Sequence, residues 1–451
     1  MFAITHYLFE SVLKSCSVKA TKIPKNIAPR YISIDAKGSD TLVMSWADGT
    51  KSKYHHEWLR NQCPSVIHSS GQRTIYPGDL SSLQMETKSV EYKDGKVQIT
   101  WKDGHTSDFD SEWLRARAYC DSSDFISGHR KQTRPVGLKA SDPIPMVAYQ
   151  DIVATEEGFV QWLHHQVMDG LCIVEGMPTE PKAVVKLASL ISPISHEFLY
   201  GQYFDVRSEP KAVNIAYTAL NLRLHMDLAY YESIPGFQYL HCLHNDPTIK
   251  GGISIFLDVF EAAEFFRQSE PEDFEVLCRV PATFQKIRDE THTPDVERRE
   301  QRPKSYYASY MEYQRPHFQL DAYGELVTIT WAPPFEGVLQ VPFEDVQPYY
   351  RAYRKFQKLV EESEFAKEYT IRHRLEPGQV ACFNNRRVLH GRTAFEGTTE
   401  DSVRHLQGTY LNSDEVLSKY LVVKKKVESK DKEKNMKYVS RVGNGTLPHL
   451  L

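Results

Sequence analysis

The sequence lacks the features that mark membrane-spanning, secreted and nucleic-acid-binding proteins. Its 451 residues contain no uninterrupted apolar run of about 18 residues, so no membrane-spanning helix is expected. The 55 basic and 59 acidic side chains leave a formal net charge of −4, which gives no general attraction to nucleic acid or to an anionic membrane. The seven cysteines are an odd number without the spacing of a disulfide framework, which indicates a reducing, intracellular setting.

Aromatic residues, by contrast, are abundant. They make up 12% of the chain, with 25 tyrosines and 21 phenylalanines, and such residues suit ligand pockets as well as cores. The apolar content of 41% is enough for a sizeable core. The length predicts two or three domains of about 100–200 residues each.

Residues 1–30 have two interpretations that the sequence leaves open. Five basic residues oppose the single acidic Glu10, and the apolar residues could form a stripe along one face of a helix. This pattern is typical of a mitochondrial presequence, although the segment is poor in Arg and Ser. The alternative is an ordinary N-terminal extension, so a mitochondrial and a cytoplasmic location both stay open.

An internal repeat occupies residues 31–120. The segment Trp46–Arg60 recurs as Trp101–Arg115, 55 positions further along the chain. Each copy predicts a strand, an Asp-Gly turn and a second strand, followed by a Glu-Trp-Leu-Arg segment. We therefore expect a small β domain at 31–120.

The rest of the chain predicts a linker, a large domain and a charged tail. Residues 121–148 are polar and rich in Gly and Pro, as in linkers, whereas 422–451 begin with a Lys/Glu-rich run. Residues 149–421 combine many strands with separated helices, which favours a sandwich or barrel with flanking helices. Within them, residues 290–315 are charged and turn-rich, and we expect an exposed excursion or lid there. The helices are expected at Ala154–Val167, Pro181–Leu190 and Pro342–Tyr369, and strands near Leu171–Glu175, Phe237–Leu243, Gly252–Phe256, Leu326–Trp331 and Gln379–Phe383.

Three residues predict a metal site. His225 and Asp227 precede a strand, and in an extended segment residues i and i+2 share a face. His390 follows a short apolar run 165 residues downstream and supplies a third donor. Two histidines and one carboxylate form the facial triad of non-haem Fe(II) oxygenases. A His-x-Asp pair also occurs often by chance, so the flanking motifs decide between the two interpretations.

Several linked motifs resemble the gamma-butyrobetaine dioxygenase/trimethyllysine dioxygenase family. They occur in the family's order over residues 31–421, namely Trp58-Leu-Arg-Asn-Gln-Cys63, Tyr200-Gly201, Ala216-Tyr-Thr218, His225-x-Asp227, Pro235-Gly-x-Gln-x-x-His-Cys242, Gly251-Gly252, Asn385-x-Arg-x-Leu-His-Gly-Arg392 and Arg404-His-Leu-x-Gly-x-Tyr410. The resemblance implies a mainly β fold with flanking helices. Its catalytic domain would be a double-stranded β-helix (jelly roll) that follows a small N-terminal β domain.

The resemblance also implies roles for individual residues. His225, Asp227 and His390 would be the iron ligands, and Arg404 would grip the distal carboxylate of 2-oxoglutarate with its planar guanidinium. Aromatic walls would enclose a trimethylammonium group, which cannot donate hydrogen bonds and therefore favours aromatic faces. The residues implied in substrate binding are Tyr200, Phe204, Asn214, Tyr217 and Tyr410.

The implied activity is hydroxylation of gamma-butyrobetaine to L-carnitine. It uses Fe(II), with 2-oxoglutarate and dioxygen as cosubstrates and ascorbate as reductant, in a homodimer. The alternative within the family is trimethyllysine hydroxylation, and the motifs do not separate the two. Two other classes remain: a non-catalytic protein that binds a quaternary amine, and a zinc hydrolase, for which the sequence offers no obvious general base.

The chain departs from the family pattern at three places. Met226 stands between two predicted ligands where the best-known members have Thr, and Phe204 stands where they have Trp. A phenylalanine keeps an aromatic face but attracts a cation less strongly. The segment Trp331–Glu336 replaces an Asn-rich segment that contacts the substrate carboxylate, which puts recognition of that carboxylate in doubt.

A zinc site in the small β domain is a further candidate. Cys63, His68 and His105 carry suitable donors, and Cys120 is a loose fourth candidate. Structural zinc requires four closely spaced ligands, mostly thiolates and imidazoles. The family carries a Cys-x-Cys-x-x-Cys cluster with a distant His, of which this chain keeps Cys63 and His105 but has Ser65 and His68 at the other positions. The alternative is a solvated loop that happens to carry histidines.

Overall fold

The structure is a computed structural model, and the chain divides into two compact units. One comprises Met1–Ile126 with Leu451, and the other comprises Ser127–Leu450. The structure describes residues 31–35, 40–47, 49–118, 137–194, 200–207, 218–288, 309–321, 324–396, 403–430, 441–442 and 445–446. The predicted extension at 1–30 lies outside the described residues, as do much of the predicted linker and most of the predicted tail.

The smaller unit contains two copies of one sheet-and-helix motif. Its elements are β1 (Tyr31–Asp35), β2 (Thr41–Trp46), β3 (Lys51–His55), α1 (His56–Asn61), β4 (Thr87–Lys93), β5 (Lys96–Trp101), β6 (Thr106–Asp110) and α2 (Ser111–Ala116). β1–β3 and β4–β6 form two three-stranded antiparallel sheets. The hairpin turns place Gly49 and Gly104 at positive φ of 83° and 89°, a region that glycine enters without a steric cost. The sequence repeat is therefore a repeat of structure.

The two copies are tied together by matching contacts. The indole of Trp46 donates to Ser52 Oγ and that of Trp101 donates to Ser107 Oγ, both at 2.8 Å. The guanidinium of Arg115 lies 5.2 Å from the ring centre of Trp46, while that of Arg60 lies 5.9 Å from the ring centre of Trp101. Each arginine thus stacks on the tryptophan of the other copy.

The larger unit contains two main sheets. A six-stranded sheet runs in the order β7-β8-β19-β11-β22-β9, and a four-stranded sheet in the order β10-β20-β13-β18. The strands of the unit are β7 (Met146–Ala148), β8 (Leu171–Glu175), β9 (Phe204–Val206), β10 (Leu222–His225), β11 (Phe237–Asn245), β12 (Lys250–Gly251), β13 (Ser254–Asp258), β14 (Pro281–Arg288), β15 (Ser309–Pro316), β16 (Phe318–Leu320), β17 (Leu326–Ile329), β18 (Ile371–His373), β19 (Val380–Asn384), β20 (Val388–Arg392), β21 (Phe395–Glu396), β22 (Arg404–Leu411), β23 (Arg441–Val442) and β24 (Gly445–Thr446).

Helices accompany these sheets. They are α3 (Tyr149–Ala154), α4 (Glu156–Met168), α5 (Ala183–Ser189), α6 (Val259–Ser269), α7 (Pro271–Arg279), α8 (Phe343–Glu362), α9 (Glu364–Tyr369) and α10 (Ser413–Lys430). The expected mainly β architecture with helices is confirmed. None of the described helices combines the length and the hydrophobicity that crossing a bilayer requires.

Two predicted segments differ from the structure. The helix expected at Pro342–Tyr369 breaks at Ser363, which is extended and accepts a hydrogen bond from the backbone N–H of Ala366, so it caps a second helix. The expected excursion at 290–315 ends in a regular strand rather than in turns, because Ser309–Pro316 pairs along its full length with Pro281–Arg288. Alternate side chains of β15 are more buried than their neighbours, which the charged composition conceals. Residues 289–308 lie outside the described residues.

The core between the two sheets supports the predicted metal site. Phe256 of β13 packs edge-on against Phe383 of β19 with ring centres 5.4 Å apart, so the four- and six-stranded sheets meet here. The ring of His390 lies 4.9 Å from that of Phe383. The imidazole of His390 therefore packs against the core and belongs to a buried strand, which fixes its position.

Candidate metal centre and its cavity

The three predicted metal donors converge. β10 and β20 are antiparallel neighbours in which His225 and His390 are directly opposite each other, with ring centres 4.3 Å apart. Asp227 Oδ1 lies 3.4 Å from His225 Nε2, and its Oδ2 lies 3.7 Å from His390 Nε2. The metal-binding atoms of these three side chains all lie within 4.8 Å of one another. Among the described residues, they form a group of three His, Cys, Asp or Glu side chains close enough together to hold a metal ion. Register between two strands, rather than spacing along one, brings His390 to the pair.

The backbone at Asp227 differs from the extended segment that we expected. β10 ends at His225, and Leu228 has a positive φ of 60°, an unusual value for a leucine. The side chain of Asn385 holds the bend, since its Oδ1 accepts from Asp227 N at 2.9 Å and its Nδ2 donates to Asp227 O at 3.0 Å. Asn385 belongs to the motif Asn385–Arg392, but no local pattern in that motif indicates this positioning role.

Burial and neighbouring groups shift the pKa of His390 and of Asp227, and a hydrogen bond orients the ring of His225. His225 Nδ1 donates to the carbonyl of Arg223 at 2.8 Å, which leaves Nε2 as the unprotonated donor atom facing Asp227. Burial lowers the pKa of His390 to about 3, and the neighbouring His225 adds to this shift. Burial alone would raise the pKa of Asp227, but the two neighbouring imidazoles and the hydroxyl of Tyr410, which donates to the carboxylate, outweigh it and hold that pKa below its usual value. A carboxylate with two neutral imidazoles is the state that binds a metal.

Two further side chains orient the carboxylate of Asp227. Gln238 Nε2 and the hydroxyl of Tyr410 each donate to Asp227 Oδ2 at 2.8 Å. Both come from the six-stranded sheet, on β11 and β22, whereas His225 and His390 come from the four-stranded sheet. The site is therefore assembled across the two sheets.

A cavity of about 700 Å³, counted with its open mouth, extends from the three donors. Its polar lining includes Gln238, Arg392 and Arg404 beside the donors themselves. Of the segment that replaces the family's Asn-rich stretch, Pro334 and Phe335 reach the lining, so this segment presents an apolar surface. The donor set thus faces a space that can hold a small molecule.

Arg404 lies in this cavity, on β22. Its residue is 5% exposed, and its Nε has no hydrogen-bond partner among the described residues. Burial lowers its pKa to about 10, and the nearby Arg392 adds to the shift, so the guanidinium is still charged at neutral pH. Arg392 instead donates to the carbonyls of Thr218 and Leu220. A buried, charged and incompletely bonded guanidinium is suited to an anionic ligand.

Three of the predicted substrate-binding residues form one aromatic group. The ring centres of Tyr200 and Phe204 are 5.6 Å apart, those of Phe204 and Tyr410 are 5.0 Å apart and nearly parallel, and those of Tyr200 and Tyr410 are 6.1 Å apart. All three line the cavity. The predicted residues Asn214 and Tyr217 lie outside the described residues.

The zinc candidates are not brought together as a set. Cys63 Sγ lies 3.3 Å from His105 Nε2, and Ser65 Oγ lies 3.1 Å from the same nitrogen. His68 Nδ1 is instead hydrogen-bonded with Ser70 Oγ at 3.0 Å, within its own loop. Cys120 lies outside the described residues. One thiol, one imidazole and one hydroxyl do not fit the closed four-ligand set of structural zinc.

Comparison with known proteins decides the family. Residues 133–410 match the profile of the taurine catabolism dioxygenase TauD, TfdA family. The chain belongs to this dioxygenase family. Residues 34–115 and 88–151 also match the gamma-butyrobetaine hydroxylase-like N-terminal family, and the two matched ranges overlap the internal repeat.

Individual relatives confirm the resemblance seen in the motifs. The gamma-butyrobetaine dioxygenase of Pseudomonas sp. strain AK-1 is 35% identical over 390 residues, which covers 85% of this family member and 94% of the relative. The human gamma-butyrobetaine dioxygenase is 28% identical, and the match covers 87% of this chain and 96% of the relative. The human mitochondrial trimethyllysine dioxygenase is also 28% identical, and the match covers 87% of this chain and 90% of the relative. A solved asparagine oxygenase complexed with Fe(II) matches 57% of this chain and 78% of its own at 19% identity, with a TM-score of 0.39, a likeness too slight to bear on function.

Proposed function

We propose that this dioxygenase is an Fe(II)- and 2-oxoglutarate-dependent hydroxylase of a trimethylammonium substrate, and that it converts gamma-butyrobetaine to L-carnitine. The observation that carries the proposal is the convergence of His225, Asp227 and His390 on a cavity that also contains Arg404 and an aromatic group. A relative that is 35% identical over most of both chains is named for gamma-butyrobetaine. The two sheets would form a double-stranded β-helix, preceded by a small N-terminal β domain.

His225, Asp227 and His390 would hold the iron. Two neutral nitrogen donors and one carboxylate fit Fe(II), and the cavity beside them leaves room for exchangeable ligands. When bound, the iron together with 2-oxoglutarate and dioxygen supplies the oxidising power that hydroxylates an unactivated C–H bond. The protein orients the ligands: Gln238 and Tyr410 donate to the same oxygen of Asp227, so its other oxygen remains available to the metal.

Arg404 would bind the distal carboxylate of 2-oxoglutarate. The planar guanidinium can donate two parallel hydrogen bonds to a carboxylate, which both holds and orients the cosubstrate. Its burial strengthens the interaction, because little water competes for either partner. Gly252 allows this placement, since a Cβ there would lie 3.1 Å from Arg404 Nε.

The aromatic group would bind the trimethylammonium end of the substrate. Tyr200, Phe204 and Tyr410 offer ring faces to a cation that cannot donate hydrogen bonds, and each face contributes about 0.5–2 kcal/mol depending on desolvation. Because the Tyr410 hydroxyl also contacts Asp227, the cation would lie close to the metal donors, with the adjoining methylenes beside the iron. The family resemblance also implies a part in substrate binding for Asn214 and Tyr217.

The test is a product assay with two substrates in parallel. The purified protein is incubated with Fe(II), 2-oxoglutarate and ascorbate, and with either gamma-butyrobetaine or trimethyllysine, and the hydroxylated amine and succinate are quantified by mass spectrometry. We expect L-carnitine and succinate in equal amounts from gamma-butyrobetaine, and neither product from the Asp227→Ala variant. Hydroxylation of trimethyllysine alone would assign the chain the other activity of its relatives. Absence of succinate with either amine would leave a non-catalytic quaternary-amine-binding protein.

A further inference from the structure

The aromatic group depends on a residue that carries no side chain. β9 and β22 are antiparallel neighbours in which Phe204 stands directly opposite Gly408. Leu406 and Tyr410 flank Gly408 at i−2 and i+2, and both line the cavity, so a side chain at 408 would point to the same face. The Phe204 ring occupies that space instead, covering the glycine and stacking on Tyr410.

Any side chain at position 408 would displace this ring. A Cβ on Gly408 would lie 2.2 Å from Phe204 Cζ and 2.6 and 2.7 Å from its two Cε atoms. An ordinary carbon–carbon contact is about 3.5–4.0 Å, so the ring has to retreat from β22 by more than about 1 Å. All three clashing atoms belong to one side chain, so the ring can yield while the backbone stays in place. The backbone of Gly408 has no positive φ, and alanine can adopt the same conformation without strain.

We propose that Gly408 is a specificity-determining residue, which seats the Phe204 ring against Tyr410 and thereby fixes the wall that recognises the cation. This inference rests on the proposed trimethylammonium substrate. Gly408 itself touches neither substrate nor metal, so it acts through Phe204 alone. The clash involves only the Phe204 ring. The metal-binding residues His225, Asp227 and His390 are not part of it, and neither is Arg404, so binding of iron and of 2-oxoglutarate should not change.

The Gly408→Ala variant tests the proposal by a split between two Michaelis constants. We expect the KM for gamma-butyrobetaine to rise about 3- to 30-fold, the range that one cation–π contact spans. The KM for 2-oxoglutarate should stay within about twofold of the wild-type value. Gly78→Ala is a matched control, because a Cβ at Gly78 meets nothing within 4 Å, and it should leave both constants unchanged.

A neutral analogue separates cation recognition from general packing. In 5,5-dimethylhexanoate a carbon replaces the quaternary nitrogen of gamma-butyrobetaine, so shape is kept and charge is lost. Wild-type protein should bind gamma-butyrobetaine more tightly than this neutral competitive inhibitor. The ratio of the inhibition constant of the analogue to the KM for gamma-butyrobetaine should be smaller in Gly408→Ala than in the wild-type protein. An unchanged ratio together with a raised KM would mean that the pocket merely became narrower, which overturns the proposal.

A double-mutant cycle shows whether the effect passes through Phe204. With Phe204→Ala the clash is removed, so adding Gly408→Ala should change the KM for the amine by less than about twofold. Two results would contradict the role of Gly408. One is a rise in the KM for gamma-butyrobetaine that is as large in the Phe204→Ala background as in the wild-type background, and the other is a wild-type KM in Gly408→Ala. A wild-type protein that turns over no quaternary amine would instead refute the proposed function, and the inference with it. If Gly408→Ala does not fold while Gly408→Ala with Phe204→Ala does, the clash is rigid and the seating of the ring is supported.

Discussion

Removing the hydroxyl of Tyr410 tests how the protein holds the metal-binding carboxylate. Tyr410→Phe keeps the ring that stacks on Phe204 but deletes the donor that lies 2.8 Å from Asp227 Oδ2. A hydrogen bond to a charged group contributes roughly 1.5–3 kcal/mol. Loss of a partner that orients a metal ligand typically costs about 10- to 100-fold in metal affinity. Because Gln238 still donates to the same oxygen, we expect the lower end, about a tenfold loss.

The assay is anaerobic titration of the purified variants with Fe(II), followed by calorimetry or by competition with a chelator. Tyr200→Phe is the matched control: it also removes a hydroxyl from the aromatic group, but that hydroxyl contacts Tyr230 at 3.1 Å rather than Asp227. Iron affinity should fall in Tyr410→Phe and stay near the wild-type value in Tyr200→Phe. Equal affinities in wild-type and Tyr410→Phe protein would refute the reasoning that this bond prepares Asp227 for the metal.

Three further predictions follow from the structure. Gly252→Ala and Gly176→Ala both place alanine at positive φ, and each should lower the unfolding free energy by about 1 kcal/mol. Only Gly252→Ala crowds Arg404, so only this variant should raise the KM for 2-oxoglutarate several-fold. Burial raises the pKa of Glu336 to about 7, above its usual 4.5, so the folded state holds this proton more tightly. The unfolding free energy should therefore fall by roughly 1–3 kcal/mol as pH rises from 4.5 to 7, and chemical denaturation of Glu336→Gln should lack this decline. Zinc titrated into Asp227→Ala protein should show no tight binding by calorimetry, because the described residues supply no third and fourth metal ligand beside Cys63 and His105; a stoichiometric tight site would contradict this.

Residues that follow local patterns could be predicted from the sequence. The strand at Leu171–Glu175 has the predicted bounds, since four of its five residues are fully buried and the sequence shows an apolar run. The strand predicted at Phe237–Leu243 is also mostly buried, and in the structure it continues for two more residues, to Asn245. The repeated Asp-Gly turns likewise marked two hairpins.

Features set by contacts between distant strands could not be predicted in this way. Nothing near Asn385 in the sequence indicates that its amide brackets the backbone of Asp227, because the two are 158 positions apart. The seating of Phe204 on Gly408 depends on the register of β9 against β22. Even the convergence of His390 with His225 was inferred from chemistry and family resemblance, whereas its geometry comes from strand pairing.

The homodimer implied by the resemblance stays a prediction. Light scattering of the purified protein at several concentrations measures its mass against the 52.0 kDa of one chain. We expect twice that mass, and a mass equal to one chain at every concentration would show a monomer.

The most direct test of the central claim is an anaerobic titration of the Fe(II)-loaded protein with 2-oxoglutarate, followed by visible absorption. Chelation of the iron by 2-oxoglutarate should produce a charge-transfer band that saturates at one equivalent per chain. The band should be absent in Asp227→Ala, and in Arg404→Ala it should require at least about tenfold more 2-oxoglutarate. A band of wild-type intensity in Asp227→Ala, or no band in the wild-type protein, would contradict an iron site built from His225, Asp227 and His390.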